Sequence, residues 1–367
     1  MRAYLLIALI TALATMFATW GVRAVAKKYN IHPAIRERDS HQEPTPRIGG
    51  VGMFVGLLIG LFAAGFFGWF EAIYSNPAPI IAIATAGGLI ALVGVLDDLI
   101  DLDWLAKLGG QIAAAWILTS QGIQIVSLPI GGVTVGSFGV SLAITIFVIV
   151  LVMNAVNFID GLDGLAAGVV GIGTLVFFTY SYLLAQQSTP SNYFSLAGLL
   201  SAIVLGMTVG FLPHNWRPAK IFMGDSGAML LGLLMASSAI TVTGSIDPAT
   251  VTRNDLLPAL IPLVLPVFIL LLPLLDLLFA VVRRLRRGQS PFAPDRGHIH
   301  HLLQDLGHSH SGAVLVFYHW TALISGTMLL FFWFEVAQVA LIFGIGFVLA
   351  ITHTYWPVIK RIRKVSA

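Results

Sequence analysis

The chain has 367 residues, of which 57% are hydrophobic and only 10% are charged, whereas soluble domains are about 25% charged. This composition excludes an ordinary soluble enzyme and indicates an integral membrane protein. There is no cysteine, which excludes disulfides, thiol nucleophiles and cysteine-based zinc sites. The formal net charge of +3 is so small that its distribution matters more than its size, and no nucleic-acid partner is expected.

Apolar segments of membrane-spanning length follow one another along the chain. The first could be a signal peptide, but only Arg2 precedes it, it lacks a clear A-x-A cleavage site, and about 20 apolar residues suffice to span a bilayer. We therefore interpret it as a transmembrane helix. The whole pattern predicts an all-α polytopic membrane protein with about 11 transmembrane helices, near residues 3–25, 48–70, 79–96, 108–121, 140–157, 164–186, 193–212, 226–245, 257–282, 312–332 and 336–357.

Lysine and arginine are concentrated in alternate loops, and this bias predicts the orientation of the helices. With the N-terminus outside, only Arg2 and Arg253 fall outside, and the basic C-terminus is cytoplasmic. The outer segment 127–137 is at most a small periplasmic β-hairpin. We predict a single domain over 1–367, with an active-site face formed by cytoplasmic loops near residues 26–47, 97–107, 158–163, 213–225 and 283–311.

Two adjacent carboxylates, Asp97 and Asp98, end the third predicted helix. They could be solvated charges at a helix end. At a membrane interface, however, such groups can also accept a proton or orient a phosphate through Mg²⁺. Lys107 is the nearest fixed cation and suits a lipid phosphate at headgroup depth, with an ordinary positive-inside lysine as the equal alternative.

The stretch NAVNFIDGLDG places four polar side chains between two apolar helices. Asn154 and Asn157 share one helix face at i, i+3. The glycines permit a tight bend that keeps the carboxylates of Asp160 and Asp163 close to backbone amides. A turn alone needs Asp-Gly only once, so this pattern favours a polar ligand site.

Asp225 lies in FMGDSG, where the eighth predicted helix begins. Asp-Ser before an apolar run is also typical of a helix N-cap. A helix N-terminus is nevertheless a ready anion site, and Mg²⁺ sites usually combine one or two carboxylates with substrate phosphates. Since the predicted orientation places Asp225 on the same face as the other carboxylates, it is a candidate metal ligand.

A basic, histidine-bearing segment, RRLRRGQSPFAPDRGHIHHLL, follows the ninth predicted helix. Its first arginines, Arg283 to Arg287, are typical of a topology determinant that binds anionic lipid. The histidines have neither a cysteine nor a third-ligand spacing that would favour zinc. Hydrogen bonding to a pyrophosphate suits the polar groups at its end, which are Arg296, His298, His300 and His301.

One further carboxylate, Asp276, lies within the ninth predicted helix. A charge at the centre of a membrane helix costs roughly 2.5–3.5 kcal/mol on insertion scales. We therefore expect Asp276 to face the interior of the bundle. The sequence leaves open whether it is structural or close to the site.

Four motifs, VGVLDD, NAVNFIDGLDGLAAG, FMGDSG and PDRGHIHHLL, occur in the order found in the polyprenyl-phosphate N-acetylhexosamine-1-phosphate transferases. The chain resembles this superfamily, glycosyltransferase family 4, over nearly its whole length. HIHHLL departs from the three consecutive histidines and following acidic residue of the muramoyl-pentapeptide branch. It is similar instead to the bacterial branch that uses undecaprenyl or decaprenyl phosphate and starts O-antigen, enterobacterial common antigen, teichoic acid or arabinogalactan linkers.

The resemblance implies a reaction at the cytoplasmic face of the bacterial plasma membrane. Polyprenyl phosphate would directly attack the β-phosphorus of UDP-N-acetylglucosamine (UDP-GlcNAc), giving polyprenyl-diphospho-GlcNAc and UMP. The implied cofactor is Mg²⁺, with Mn²⁺ as an alternative, and a homodimer is left open. Two further alternatives are another UDP-N-acetylhexosamine donor and, in a different class, a carboxylate-coupled transporter. Transporters usually place ionisable groups near the bilayer midplane, whereas these motifs lie at helix ends.

The resemblance also implies roles for individual residues. Asp97, Asp98 and Asp225 would be catalytic. Asp225 is the leading Mg²⁺ ligand, and Asn157 is a second candidate. The implied substrate contacts are Lys107, Asn157, Asp160, Asp163, Arg296, His298, His300 and His301. The loop after the first helix begins with His32-Pro33 where many relatives have Asp-Pro, so within it we consider only Arg47 for donor contact.

Overall fold

A computed structural model describes residues 1–31, 45–125, 137–188, 194–243, 265, 267–288 and 299–365. These residues contain helices and no strand. The α-helices are α1 (Arg2–Lys28), α2 (Gly49–Gly65), α3 (Glu71–Tyr74), α4 (Ala78–Ile100), α5 (Trp104–Ser120), α6 (Phe138–Ile159), α7 (Leu165–Ser188), α8 (Leu196–Asn215), α9 (Gly224–Thr243), α10 (Leu271–Arg286), α11 (Ile299–Asp305), α12 (His310–Leu330) and α13 (Val336–Val365). A 3₁₀ turn at Gly68–Phe70 precedes α3.

Within the described residues, 8 helices are long and apolar enough to cross a membrane: α1, α4, α6, α7, α8, α9, α12 and α13. A ninth span would be α2 together with Gly68–Tyr74, which bend by 92° at their junction. The predicted all-helical polytopic architecture is therefore confirmed. The exact number of crossings and their orientation stay predictions, and residues 127–136 of the predicted hairpin lie outside the described residues.

Several helices begin where a short polar side chain can accept a hydrogen bond from an N–H of the first turn. Asp103 accepts from Leu105 N at the start of α5, and Ser137, Ser195 and Ser309 do the same for α6, α8 and α12. Such caps satisfy donors that have no partner within the helix. Polar residues between apolar runs therefore fix where these helices start.

A row of small residues joins α1 to α2. Thr11, Thr15 and Thr19 are fully buried on α1. They face Gly60, Gly56 and Gly52 on α2, where an added Cβ would collide with the threonine hydroxyl in each case. Close backbone approach at small residues is a common way for membrane helices to associate, because lipid provides little hydrophobic driving force between them.

We expect Gly56→Ala to destabilise the protein by about 1–3 kcal/mol, because the new methyl group overpacks the contact with Thr15. Gly21→Ala is the matched control, since a Cβ there meets nothing within 4 Å and alanine is the better helix former. Thermal unfolding in detergent would measure both. Equal melting temperatures for Gly56→Ala and the wild type would contradict this packing.

The most deeply buried of the eight spans is α9. It contacts α2, α4, α6, α7 and α8, so it forms the centre of the bundle, whereas α13 is the least buried span. Asp225 lies in the first turn of α9. The predicted metal ligand is therefore at one end of the central helix, where neighbouring helices also begin or end.

Candidate active site

Lys107 connects two of the aspartates that were predicted to be catalytic. Its Nζ lies 3.2 Å from Asp97 Oδ2 and also forms an ion pair with Asp225 Oδ2. Asp225 is 118 residues further along the chain. All three side chains are partly buried, so this contact joins the end of α4, the start of α5 and the start of α9.

The sequence between Asp97 and Lys107 folds into a tight turn. Asp97 Oδ1 accepts a hydrogen bond from Leu102 N at 3.1 Å. Asp101 ends α4 in the left-handed conformation, with φ 56°, and Asp103 then caps α5. The turn brings Lys107 back over Asp97, which explains how residues ten positions apart become an ion pair.

Asp98 differs from Asp97 because its carboxylate contacts the backbone at the start of α9. Its Oδ1 accepts a hydrogen bond from the backbone N–H of Asp225 at 3.3 Å. Its Oδ2 is buried and accepts no hydrogen bond from any described residue. Gly224, with φ 65°, allows this approach, because a Cβ there would collide with Asp98. The two adjacent aspartates therefore have different surroundings.

The segment that leads into α2 is held against the segment that leads into α9. Three backbone hydrogen bonds of 2.8–2.9 Å join them: Gly49 N to Phe222 O, Gly50 N to Met223 O, and Phe222 N to Pro46 O. The contact requires glycine at position 50, where a Cβ would collide with the backbone of Gly227. It brings Arg47 to the site, where its positive charge acts on Asp98 and Asp160.

Asp160 follows the last residue of α6. Burial raises the pKa of its carboxyl group to about 7, and the nearby Asp98 and Asp163 raise it further while Arg47 lowers it. Asp160 is thus within electrostatic range of the groups around α9. At neutral pH its carboxyl group would be ionised in only part of the molecules.

We expect this pKa to make the unfolding free energy depend on pH. The ordinary pKa is 3.8, so between about pH 4 and 7 the folded protein retains a proton that the unfolded chain has lost, and stability falls as pH rises. Asp160→Asn should flatten this part of the profile when melting is followed in metal-free detergent solution. An unchanged slope in the variant would contradict the prediction.

Asp163 has internal partners in this structure. It is only 2% exposed. Its Oδ2 accepts a hydrogen bond from Ala219 N at 3.1 Å, and its own N–H donates to His310 Nε2 at 3.2 Å. The observed contacts attach the turn after α6 to the segment after α8 and to the start of α12. The predicted contact of Asp163 with the nucleotide sugar stays a prediction.

Further contacts fix the same turn. Gly164 N donates to Asn215 Oδ1 at 3.0 Å, and Asn215 Nδ2 donates to Ile221 O at 3.1 Å. Tyr318 Oη donates to Gly164 O at 2.5 Å. Gly164 has φ 77°, a conformation that favours glycine. Sequence reasoning missed Asn215, His310 and Tyr318, because none of them belongs to a recognisable motif: the first two stand at helix ends and Tyr318 within an apolar helix.

The two asparagines of α6 have different surroundings. Asn154 Nδ2 donates to Gln111 Oε1 of α5 at 2.8 Å, and Gln111 Nε2 also lies 3.1 Å from Met229 Sδ of α9. Asn154 therefore joins membrane helices in this structure. Asn157 is half-buried one turn further on, and its backbone oxygen accepts from Asp160 N at 3.2 Å. Its predicted metal contact stays a prediction.

The histidine-bearing segment is described only in part. Arg296 and His298 lie outside the described residues, as do the side chains of His300 and His301, whose backbone belongs to α11. Asp276 is 5% exposed, which confirms that it faces the interior. The donor contacts predicted for the four basic groups stay predictions.

Oxygen atoms available for a metal ion lie around the start of α9. No three histidine, aspartate or glutamate side chains in the described part of the chain form a metal-binding group by themselves. Mg²⁺ does not require such a group, because it usually takes one or two carboxylates together with substrate phosphates. Asp225 and Asp98 suit that coordination, because the Asp98 carboxylate accepts a hydrogen bond from the Asp225 backbone and has a second, buried oxygen that accepts none from a described residue.

Known proteins match this chain along its length. The model of glycosyl transferase family 4 matches residues 80–243, a range that runs from the first turn of α4 to the end of α9. A decaprenyl-phosphate N-acetylglucosaminephosphotransferase from Mycolicibacterium smegmatis is 39% identical, and the alignment covers 98% of this chain and 90% of the relative. Its namesake from Mycobacterium tuberculosis is 37% identical with the same coverage. A probable undecaprenyl-phosphate N-acetylglucosaminyl 1-phosphate transferase from Bacillus subtilis is 33% identical over 84% of this chain and 80% of the relative.

Proposed function

Because the chain belongs to glycosyl transferase family 4, in its branch of polyprenyl-phosphate GlcNAc-1-phosphate transferases, we propose that it transfers GlcNAc-1-phosphate from UDP-GlcNAc to a polyprenyl phosphate. An oxygen of the lipid phosphate attacks the β-phosphorus of UDP-GlcNAc. The bond from that phosphorus to the bridging oxygen breaks, and UMP leaves with the bonding electrons. The products are polyprenyl-diphospho-GlcNAc and UMP.

The observation that carries this proposal is that Lys107 joins Asp97 and Asp225, two aspartates from separate motifs, at the start of the central helix. Both substrates bring phosphate groups, so a site rich in carboxylates needs cations beside it. Lys107 and Arg47 supply two fixed positive charges there. Lys107 would hold the lipid phosphate, and Arg47 would offset the carboxylates of Asp98 and Asp160.

Asp98 is the group best placed to handle a proton. Its buried Oδ2 accepts no hydrogen bond from the described residues, so this oxygen has a lone pair that could accept a proton. A carboxylate in that position can take the proton of a lipid phosphate and leave the attacking oxygen charged. Asp97 has both oxygens occupied by Leu102 and Lys107 and would act mainly by holding Lys107.

We propose Mg²⁺, with Mn²⁺ as an alternative, held by Asp225 and with Asn157 as the second candidate ligand. Carboxylate and amide oxygens are the ligand types that both ions accept. Bound there, the ion would neutralise charge on the donor diphosphate. Lys107 forms an ion pair with Asp225, so the carboxylate of Asp225 would interact with Lys107 as well as with the metal ion.

We place the site on the cytoplasmic side of a bacterial plasma membrane, because that orientation leaves nearly all lysines and arginines inside. A soluble nucleotide sugar and a lipid phosphate can meet at that boundary. The ends of α4, α6 and α8 and the starts of α5, α9 and α12 supply the contacts described above. The site thus lies at helix ends, where water and headgroups are both accessible.

The test is transfer of radiolabel from UDP-GlcNAc to decaprenyl and undecaprenyl phosphate by the purified protein in detergent, with Mg²⁺, with Mn²⁺ and with EDTA. We expect a labelled lipid and an equal amount of UMP, and loss of both in EDTA. Substrate movement across vesicles without release of UMP would favour a transporter instead. Label transfer that persists in EDTA would refute the metal proposal alone.

A further inference from the structure

One buried carboxylate attaches the histidine-bearing segment to a neighbouring helix. Asp276 Oδ1, on α10, accepts a hydrogen bond of 2.8 Å from the backbone N–H of Ile299. Ile299 is the first residue of α11, so its N–H has no acceptor within its own helix. Asp276 therefore caps α11 from a position 23 residues earlier in the chain.

The cap formed by Asp276 should stabilise α11. A helix as short as α11, with 7 residues, is not stable by itself because its nucleation cost is not repaid. A negative charge at its N-terminus stabilises the exposed N–H groups. Leu303, on the same helix, is buried to 4% exposure in the core. Two fixed points, at Ile299 and Leu303, set the position and the rotation of α11.

We propose that Asp276 is a positioning residue for the transfer reaction. Through Ile299 it fixes the start of α11, the helix whose backbone includes positions 300 and 301, and so it supports the donor contact proposed for the histidines at those positions. Positions 300 and 301 directly follow Ile299 in the chain, so loss of the cap acts first on the backbone that carries the two histidines. This inference rests on the proposed function, since it uses the donor contact assigned to the two histidines.

Two substitutions separate the hydrogen bond from the charge. Asp276→Leu removes the acceptor, whereas Asp276→Asn keeps an acceptor oxygen. Asp305→Asn, at the exposed opposite end of α11, is the matched control. Hydrogen–deuterium exchange of the peptide covering 299–306 should become about tenfold faster in Asp276→Leu. It should stay near wild type in the other two variants, while peptides from α8 and α9 report that the fold is intact.

Kinetics then test whether the cap acts through the histidines. In Asp276→Leu, the KM for UDP-GlcNAc should rise about tenfold while the KM for decaprenyl phosphate is unchanged, and Asp276→Asn should restore most of the donor affinity. In a background with His300→Ala and His301→Ala, adding Asp276→Leu should have no further effect on the donor KM, because the groups that it positions are gone.

Three results would overturn the proposal: unchanged exchange in Asp276→Leu, faster exchange with an unchanged donor KM, or the same tenfold effect in the histidine-deficient background. Failure of the proposed function would look different. The wild-type protein would then transfer no label from UDP-GlcNAc in the presence of Mg²⁺ or Mn²⁺, which is seen before any variant is compared.

Discussion

Replacing Asp225 by asparagine should reduce turnover by about 10²-fold or more, because the diphosphate would lose the charged ligand of its counterion. The fold should survive. Lys107, released from Asp225, keeps its ion pair with Asp97 at 3.2 Å, and asparagine preserves the shape of the side chain. The loss should therefore appear in kcat and in the Mg²⁺ concentration needed for activity.

Asp103→Asn is the control for the Asp225 variant. Asp103 lies in the turn between Asp97 and Lys107 but caps α5, and asparagine is an equally good cap. Both variants would be assayed at saturating UDP-GlcNAc over a titration of Mg²⁺, with size-exclusion profiles to verify folding. Near wild-type activity of Asp225→Asn at low Mg²⁺ would remove Asp225 from the metal site.

The choice between nucleotide donors should change the rate even more than the Asp225→Asn substitution does. We expect UDP-GlcNAc to be used at least about 10³-fold better, in kcat/KM, than the muramoyl-pentapeptide nucleotide. The reason is that a site whose polar groups hydrogen-bond one substrate leaves those groups unpaired with the wrong one. The relatives reported for this chain are named as N-acetylglucosamine-phosphate transferases. The spaced histidines of HIHH also differ from the three consecutive histidines of the muramoyl-pentapeptide branch.

A competition assay with both nucleotides, each at several concentrations, would measure that ratio. UDP-N-acetylgalactosamine is the informative control, because it differs from UDP-GlcNAc in the orientation of one hydroxyl group and shares its diphosphate. If HIHH only orients the diphosphate, the histidine spacing has no effect on donor choice. Equal transfer from the muramoyl-pentapeptide nucleotide would refute the donor assignment and leave the family unchanged.

Sequence reasoning predicted the all-helical membrane architecture and the start of α9 because apolar runs and polar breaks are local features. It placed Asp225 at a helix start, which the first turn of α9 confirms. It could also relate Asp97 to Lys107, since ten residues across a turn are local. These parts of the site depend on interactions between residues that are close in the sequence.

The ion pair between Lys107 and Asp225 could not be predicted, because it depends on which helices are neighbours. Membrane helices are apolar on nearly every side, so periodicity does not reveal which face meets which partner. The same applies to Asn154, which the sequence grouped with a ligand site and which pairs with Gln111 in the structure. The role of a polar residue inside an apolar helix can be assigned only when its tertiary contacts are known.

The partners of Asp163 affect how mutational scans of this protein should be interpreted. Asp163 ties the turn after α6 to Ala219 and to His310, and Ala219 lies six residues before Asp225. An alanine at position 163 would release the segment that leads to Asp225 and lower activity even without any contact between Asp163 and a substrate. A severe loss of activity there would report how firmly the segment before Asp225, the proposed metal ligand, is held. Only rescue by a residue that restores the hydrogen bond to Ala219 can separate this structural role from a direct role in the reaction.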